Sequence, residues 1–410
     1  LWWLSLISLT IGIFWADQSK TFAYSISDAM ESFIDGYGYF APVAIYLILT
    51  PTLTKLMLSE SRGKDFAKHT IKWFVVARII ACFYGVIWTA VAFGLPLFSS
   101  VGGLSEAIKE SITSLGWMLT HSVYFYAIYA SIITVFIAYR IPRLADFLAK
   151  GVDLIEYLGQ FIVPIIPFLM VAIGAYVTIL PEVLQESLGP EMGNVSVNTV
   201  SILGFPVDIT TPLGMILLYI LSALLTGFIS GIWHIGLLIL AKRANPDFSL
   251  KEYFTVYWIK VYPMLWATSS EALGTPLNLH MIKKFCPGIP DEVRQFVVGT
   301  GSFLNINGTI INVFLMAGLV ATILNIDVSL LQLVLCIPIV FLIGYGVPGI
   351  PGELILFGGP VALSMGVTPE LMPVFLGLYI GLQIGLPDSF RTAANSTDEC
   401  LCAIILNKRY

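Results

Sequence analysis

Ser269-Ser270-Glu271-Ala272-Leu273-Gly274-Thr275-Pro276 interrupts an otherwise apolar stretch, 252–280, and its reading decides the fold. A helix that faces lipid must satisfy every backbone polar group within itself. Two hydroxyls, a carboxylate, a glycine and a proline so close together do not make such a helix. The flanks set the direction of the chain. Lys242, Arg243 and Lys251 precede the stretch, and Lys283, Lys284 and Arg294 follow it. Basic residues collect on the cytoplasmic side of membrane proteins. Both flanks therefore lie on one side, and 252–280 enters and returns as a re-entrant hairpin.

The rest of the chain agrees with a membrane setting. Of 410 residues, 57% are hydrophobic and only 11% charged, and mean hydropathy is +0.87. A soluble domain carries about a quarter charged residues, so this chain could not cover a surface in water. Apolar runs near 1–15, 38–58, 70–98, 117–139, 155–181 and 210–241 approach or exceed the roughly 20 residues that span a bilayer. Lys and Arg alternate between the loops. Arg62, Lys64 and Lys68, then Arg140, Arg143 and Lys150, then the two flanks above, then Lys408 and Arg409, hold most of the 21 basic residues. The intervening loops hold Lys20 and Lys109, with Asp17, Asp28, Glu106, Glu110, Glu182, Glu186 and Glu191. This places the C-terminus in the cytoplasm.

After the hairpin, 295–324 crosses outward. A second interrupted stretch, 328–366, breaks at Gly344-Tyr345-Gly346-Val347-Pro348-Gly349-Ile350-Pro351-Gly352, and 369–406 crosses back. Two interrupted segments, each followed by a span, suggest inverted repeats around a binding site. The expected fold is an all-α polytopic membrane protein with re-entrant helical hairpins.

Net charge is −5 and no basic stripe exists, so nucleic acid is not an expected partner. Cys82, Cys286, Cys336, Cys400 and Cys402 form no C-x-x-C pair, and His69, His121, His234 and His280 are far apart, which predicts neither disulfides nor a zinc site. Each histidine is read as a packing or interfacial residue. The apolar run begins at Leu1, which predicts that the natural chain extends further upstream. Sequons occur at Asn194, Asn307 and Asn395; only Asn194 lies in a loop. No G-x-S-x-G is present and no histidine sits in a polar cluster, so an enzyme is not expected. A channel is the stronger rival, separated from a carrier by whether flux saturates.

Three polar clusters carry the chemistry: Ser269-Ser270-Glu271; Asn305-Ile306-Asn307-Gly308-Thr309; and the run from Asp388 to Glu399. On a helix, Asp388, Arg391, Thr392, Asn395 and Glu399 share one stripe. Ionisable residues inside a span usually mark a functional path. Asp388 and Arg391, at i,i+3, can simply neutralise each other; that reading leaves Thr392 and Asn395 unexplained. The functional reading is a site with an anionic and a cationic end. Arg391 takes a carboxylate in its fork and Asp388 takes an ammonium, which suits an acidic amino acid. The second cluster reads either as a kink with satisfied amides or as oxygen ligands for a hard cation.

These motifs, in this order, are similar to those of the glutamate transporter homologues, the dicarboxylate/amino acid:cation symporter family. Asn305-Ile306-Asn307-Gly308-Thr309 resembles the family's N-M-D-G-T. Asp388 to Asn395 resembles D-x-x-R-T-x-x-N, Gly346-Val347-Pro348-Gly349 matches its G-V-P-G tip, and Ser269-Ser270 resembles its serine-rich first-hairpin tip. The similarity covers about 245–406. It implies eight transmembrane helices, two re-entrant hairpins and a homotrimer in the cell membrane. It implies scaffold and trimerisation helices in 1–154, a scaffold and a transport helix in 155–241, and a transport core in 242–410 that moves like an elevator. It implies that Asp388 holds the substrate ammonium and Arg391 its side-chain carboxylate. Thr392, Asn395, Thr309, Ser269, Ser270 and the Val347 backbone complete the pocket. Gly301, Asn305, Asn395 and Glu399 hold a coupling cation. That ion is Na+ or H+, with sodium favoured by the surviving oxygen ligands and Glu399 the candidate proton carrier; no organic cofactor is expected. Alternatives within transport are a C4-dicarboxylate or a neutral amino acid.

The chain departs from the pattern at several positions. Asn307 and Ile384 stand where the family has Asp, Glu399 stands for Asp with Asp398 beside it, and Gly344-Tyr345 replaces Thr-Ala. The first-hairpin tip fits only with a gap. Arg78 falls where small hydroxyl residues help hold a sodium ion. The expectation drawn from these is that Arg78 replaces one bound sodium; the alternative is that it snorkels or pairs elsewhere.

Overall fold

The computed structural model describes residues 2–26, 64–98, 123–150, 198–269, 271–346, 354–368, 370–383 and 385–408, with isolated positions between 43 and 58, at 120, and between 171 and 178. The expected span 38–58, most of 155–181, the loop to 197 with Asn194, and Ser270, Val347 and Ile384 lie outside the described residues.

The described chain is helical. The first half contributes α1 (Trp2–Gln18), α2 (Lys64–Phe93), α3 (Val123–Arg140) and α4 (Pro142–Ala149). A β-hairpin follows, β1 (Thr199–Ile202) with β2 (Phe205–Asp208), antiparallel and in register Thr199 with Asp208. Leu203 and Gly204 take positive φ (50° and 84°) to close its two-residue turn, and the Leu203 amide donates to the Ala92 carbonyl at the end of α2. The sequence offered only a polar loop here. Then come α5 (Pro212–Ala244), a π-helical turn Tyr253–Trp258, α6 (Ile259–Thr268), α7 (Glu271–Phe285), α8 (Asp291–Leu304) and α9 (Asn307–Ile323). The chain ends with α10 (Leu330–Ile343), α11 (Ile355–Ser364), α12 (Met372–Gln383) and α13 (Leu386–Asn407).

Two described helices are long and apolar enough to cross a membrane, α2 and α5. Thirty residues at about 1.5 Å rise reach roughly 45 Å, more than the hydrocarbon layer. Their faces are sorted by helical period. On α2, Phe74, Ala77, Arg78, Ala81, Cys82, Val86 and Thr89 are buried, while Val76, Ile79, Ile80, Phe83, Ile87 and Val91 are exposed. A continuous exposed apolar stripe of this length is the face a helix turns to lipid. Gly85 brings its buried face close to α9: a Cβ there would stand 3.1 Å from Ile311.

Both interrupted segments break their helices; of the second break, 347–352 lies outside the described residues. At the first, Ser269 takes a left-handed conformation (φ 48°, ψ 32°) and ends α6. The chain turns into α7, which packs back on α6. A Cβ on Gly274 would fall 2.0 Å from a Leu265 methyl, so the two helices meet where a side chain is missing. At the second, α10 passes into a 3-10 turn, Gly344–Gly346, and α11 packs against α10. The span 295–324 is broken: Asn305 (φ −90°, ψ 59°) and Ile306 (φ −99°, ψ 36°) separate α8 from α9. The return 369–406, read as one span, is two helices, α12 and α13, parted at Gly385 (φ 91°, ψ −115°), a conformation open to glycine.

The core follows from this. Nearly every residue of α9 is buried, and α13 is enclosed by α5, α6, α7, α8, α9 and α12. Among the described helices, the polar α13 is thus one of the most enclosed.

Candidate functional site

Helix α13 buries Asp388, Arg391, Thr392, Asn395, Asp398 and Glu399, each at most 2% exposed. Ionised groups so placed must be paired and hydrogen-bonded. Helix breaks supply several of the partners, one of them a backbone amide freed at the start of α9.

The α8–α9 break faces the middle of α13. The Gly308 amide, in the first turn of α9, donates to Asn395 Oδ1 at 2.7 Å. Asn305 Nδ2 donates to the Asn395 carbonyl at 2.8 Å, and Asn307 Nδ2 to Asn305 Oδ1 at 2.9 Å. Gly308 is required for the approach: a Cβ there would stand 2.9 Å from the Arg391 carbonyl and 3.0 Å from Asn395 Oδ1. Thr309 Oγ1 accepts from Arg391 Nη1 at 2.7 Å and from Asn395 Nδ2 at 2.9 Å.

Asp388 and Arg391 form an ion pair, Oδ1 to Nη2 at 2.5 Å. Asp388 lies in the first turn of α13, where the helix dipole favours an anion, and Thr392 Oγ1 donates to it at 3.3 Å. The Leu386 amide that opens α13 donates to Tyr219 Oη on α5 at 2.9 Å. At the first-hairpin tip, Ser269 Oγ lies 3.0 Å from Ser389 Oγ, and Asn395 Nδ2 donates to Glu271 Oε1 at 2.9 Å.

One turn on, Glu399 Oε2 accepts from Asn278 Nδ2 at 2.7 Å, and Asn278 Oδ1 accepts from Tyr257 Oη at 2.5 Å. Glu399 Oε1 is buried without a hydrogen-bond donor among the described residues. A Cβ on Gly301 would stand 3.0 Å from that oxygen. An orphaned carboxylate oxygen, a glycine that leaves room beside it, and two asparagines at the adjacent break make a donor set that fits a monovalent cation. Asn305 Oδ1 accepts one hydrogen bond and keeps a second lone pair, while the Asn395 carbonyl, inside α13, accepts from Asn305 in addition to its place in the helix ladder.

The residues expected from sequence therefore gather: Ser269, Thr309, Asp388, Arg391, Thr392 and Asn395 around the ion pair, and Gly301, Asn305, Asn395 and Glu399 beside them. Asp388 and Arg391 do neutralise each other, and Thr309, Thr392 and Asn395 surround that pair. Sequence reasoning missed Glu271 and Asn278 as partners of Asn395 and Glu399. Glu271 was legible as a carboxylate at a break; Asn278 carried no signal. It also took His234 for packing. His234 Nδ1 lies 2.5 Å from Asp398 Oδ1, and its Nε2 lies 2.9 Å from Tyr253 Oη.

A match to the sodium:dicarboxylate symporter family covers residues 193–409, more than half of the chain and all of this site. The chain belongs to that family. Its members are membrane symporters, not enzymes. Among curated proteins, the chain is similar to the proton/sodium-glutamate symport protein of Bacillus caldotenax, 26% identical over 145 residues. That match covers 35% of this chain and 33% of the relative, so the chain spans about a third of the relative's length in it. In this symporter family member, the described site is formed by α13, the α8–α9 break and the first hairpin, all inside the matched region.

Proposed function

We propose that this chain is a cation-coupled symporter of acidic amino acids. The observation that carries the reading is the buried Asp388–Arg391 pair ringed by Thr309, Thr392 and Asn395. A substrate that enters must replace this pair, since neither charge can be left alone in the interior. An acidic amino acid brings both replacements: its ammonium to Asp388, and its side-chain carboxylate to the Arg391 fork. Its remaining carboxylate falls to the hydroxyls and amides, Ser269, Ser270, Thr392, Asn395 and the Val347 backbone. A C4-dicarboxylate has no ammonium and leaves Asp388 without a cation. A neutral amino acid leaves Arg391 without an anion.

A sodium ion or proton travels with the substrate. Gly301, Asn305, Asn395 and Glu399 hold the cation, and its charge offsets the buried Glu399 carboxylate. The full architecture proposed is eight spans and two hairpins in a homotrimer, with helices in 1–154 as scaffold, one scaffold and one transport helix in 155–241, and 242–410 as a core that carries substrate across like an elevator. What supports this is the family membership, the packing of α7 back on α6 and that of α11 on α10.

Radiolabelled L-aspartate and L-glutamate uptake into proteoliposomes tests the reading, with sodium and proton gradients imposed separately and succinate as competitor. Gradient-driven uptake that is lost in Arg391→Ala is expected. Uptake of succinate in preference to either amino acid, or non-saturating flux, would refute it.

A further inference from the structure

Arg78 stands in the middle of α2, 1% exposed, on the face turned to α8 and α9. Its Nη2 donates to the Leu304 carbonyl at 2.9 Å. Leu304 is the last residue of α8, and the chain leaves helical geometry at Asn305 and Ile306. The last carbonyls of a helix lack intrahelical donors and carry the negative end of its dipole. In broken membrane helices, such ends coordinate free cations. The acceptor Arg78 uses is of that kind.

The second hairpin closes the other side. The Tyr345 ring centroid lies 3.9 Å from the guanidinium carbon, and the Phe341 ring 6.0 Å. Gly344 lets the turn approach: a Cβ there would stand 3.0 Å from Ile306, 3.2 Å from Ile310 and 3.4 Å from Arg78 Nη1. Asn307 opens α9 beside the same break, its Oδ1 buried without a donor among the described residues. Its amide is neutral, so it adds no charge that would hold a diffusible cation next to a guanidinium.

We propose that Arg78 is a tethered cation, whose guanidinium permanently fills the place at the broken end of α8 that a diffusible sodium ion would take. The inference rests on the symporter reading above. Its consequences are specific. The protein binds one sodium fewer per protomer than the same position would allow if vacated. The contact between the α8 end and Tyr345 is independent of sodium concentration.

The test counts radioactive sodium bound to the purified full chain by equilibrium dialysis at saturating sodium chloride, a readout that needs no transport. The unmodified protein is compared with Arg78→Ser, Arg78→Ser/Asn307→Asp and Arg78→Lys. The double variant is expected to bind one more sodium per protomer than the unmodified protein, and Arg78→Lys the same number. An unchanged count in the folded double variant overturns the proposal. Folding is followed by size exclusion in sodium and in choline chloride. Monodisperse variant in sodium alone supports the proposal, because solution cation has replaced the lost charge. Aggregation in both salts counts against it, since the vacated position then takes no ion. Absence of gradient-driven uptake by the unmodified protein would sink the symporter reading, while the sodium count would still decide the role of Arg78.

Discussion

Separating Asp388 from Arg391 gives the sharpest test of the site. Each side chain is nearly fully buried, 3% and 1% exposed, and they meet at 2.5 Å. Removing one partner of such a pair leaves an uncompensated interior charge and costs about 3–5 kcal/mol. Asp388→Asn and Arg391→Met should each incur this. In Arg391→Met, Thr309 Oγ1 also loses its donor from Nη1, which adds about 1 kcal/mol. The double variant removes both charges at once, so its cost falls well below the sum of the singles. A coupling of about 2 kcal/mol or more follows from the burial. The assay is thermal unfolding of the three variants in detergent, followed by tryptophan fluorescence. At about 2 °C per kcal/mol for a large chain, each single should lose roughly 6–10 °C and the double clearly less. Additive losses, or singles that unfold with the unmodified protein, would refute the buried pair. The same samples test the function: L-aspartate should raise the midpoint of the unmodified protein and of none of the three variants.

Three further outcomes follow from the geometry. Gly308→Ala places a methyl against the Arg391 carbonyl and Asn395 Oδ1; overpacking of about 1–3 kcal/mol, with loss of the Gly308–Asn395 bond, should lower the unfolding midpoint and abolish uptake, and normal uptake would show that the α8–α9 break does not touch the site. Glu399→Gln keeps the shape but removes the charge beside Gly301, so sodium binding should weaken by at least tenfold while the fold survives; an unaltered sodium affinity by dialysis would remove Glu399 from the cation site. Asp291, at the start of α8 in the loop outside the spans, is held below the usual carboxylate range by the hydrogen bond from Arg294. A depressed folded value gives a contribution that is complete above the unfolded value of about 3.9 and lost as pH falls through the lower folded value. Asp291→Asn should therefore unfold earlier than the unmodified protein at neutral pH, with the gap closing in acid; a gap constant down to strong acid would contradict the Asp291–Arg294 bond.

Much of this was written in the sequence, because the bilayer makes polar residues conspicuous. Apolar length set the membrane class. A hydroxyl, amide or carboxylate inside an apolar run is costly unless it is enclosed by protein, so Ser269 and Asn305 announced the breaks and Asp388 the buried polar helix. The stripe from Asp388 to Glu399 needed only the 3.6-residue period. Beyond the local Asp388–Arg391 pair, tertiary structure alone decided who partners whom. Arg78 and Leu304 are 226 residues apart, Asn278 and Glu399 121, and His234 and Asp398 164. No local pattern links such pairs. Their meeting depends on the crossing of α2, α5 and α7 over α8 and α13, and on glycines that let backbones approach to a methyl's width. Sequence fixes which groups cannot face lipid, and packing decides which of them cancel one another.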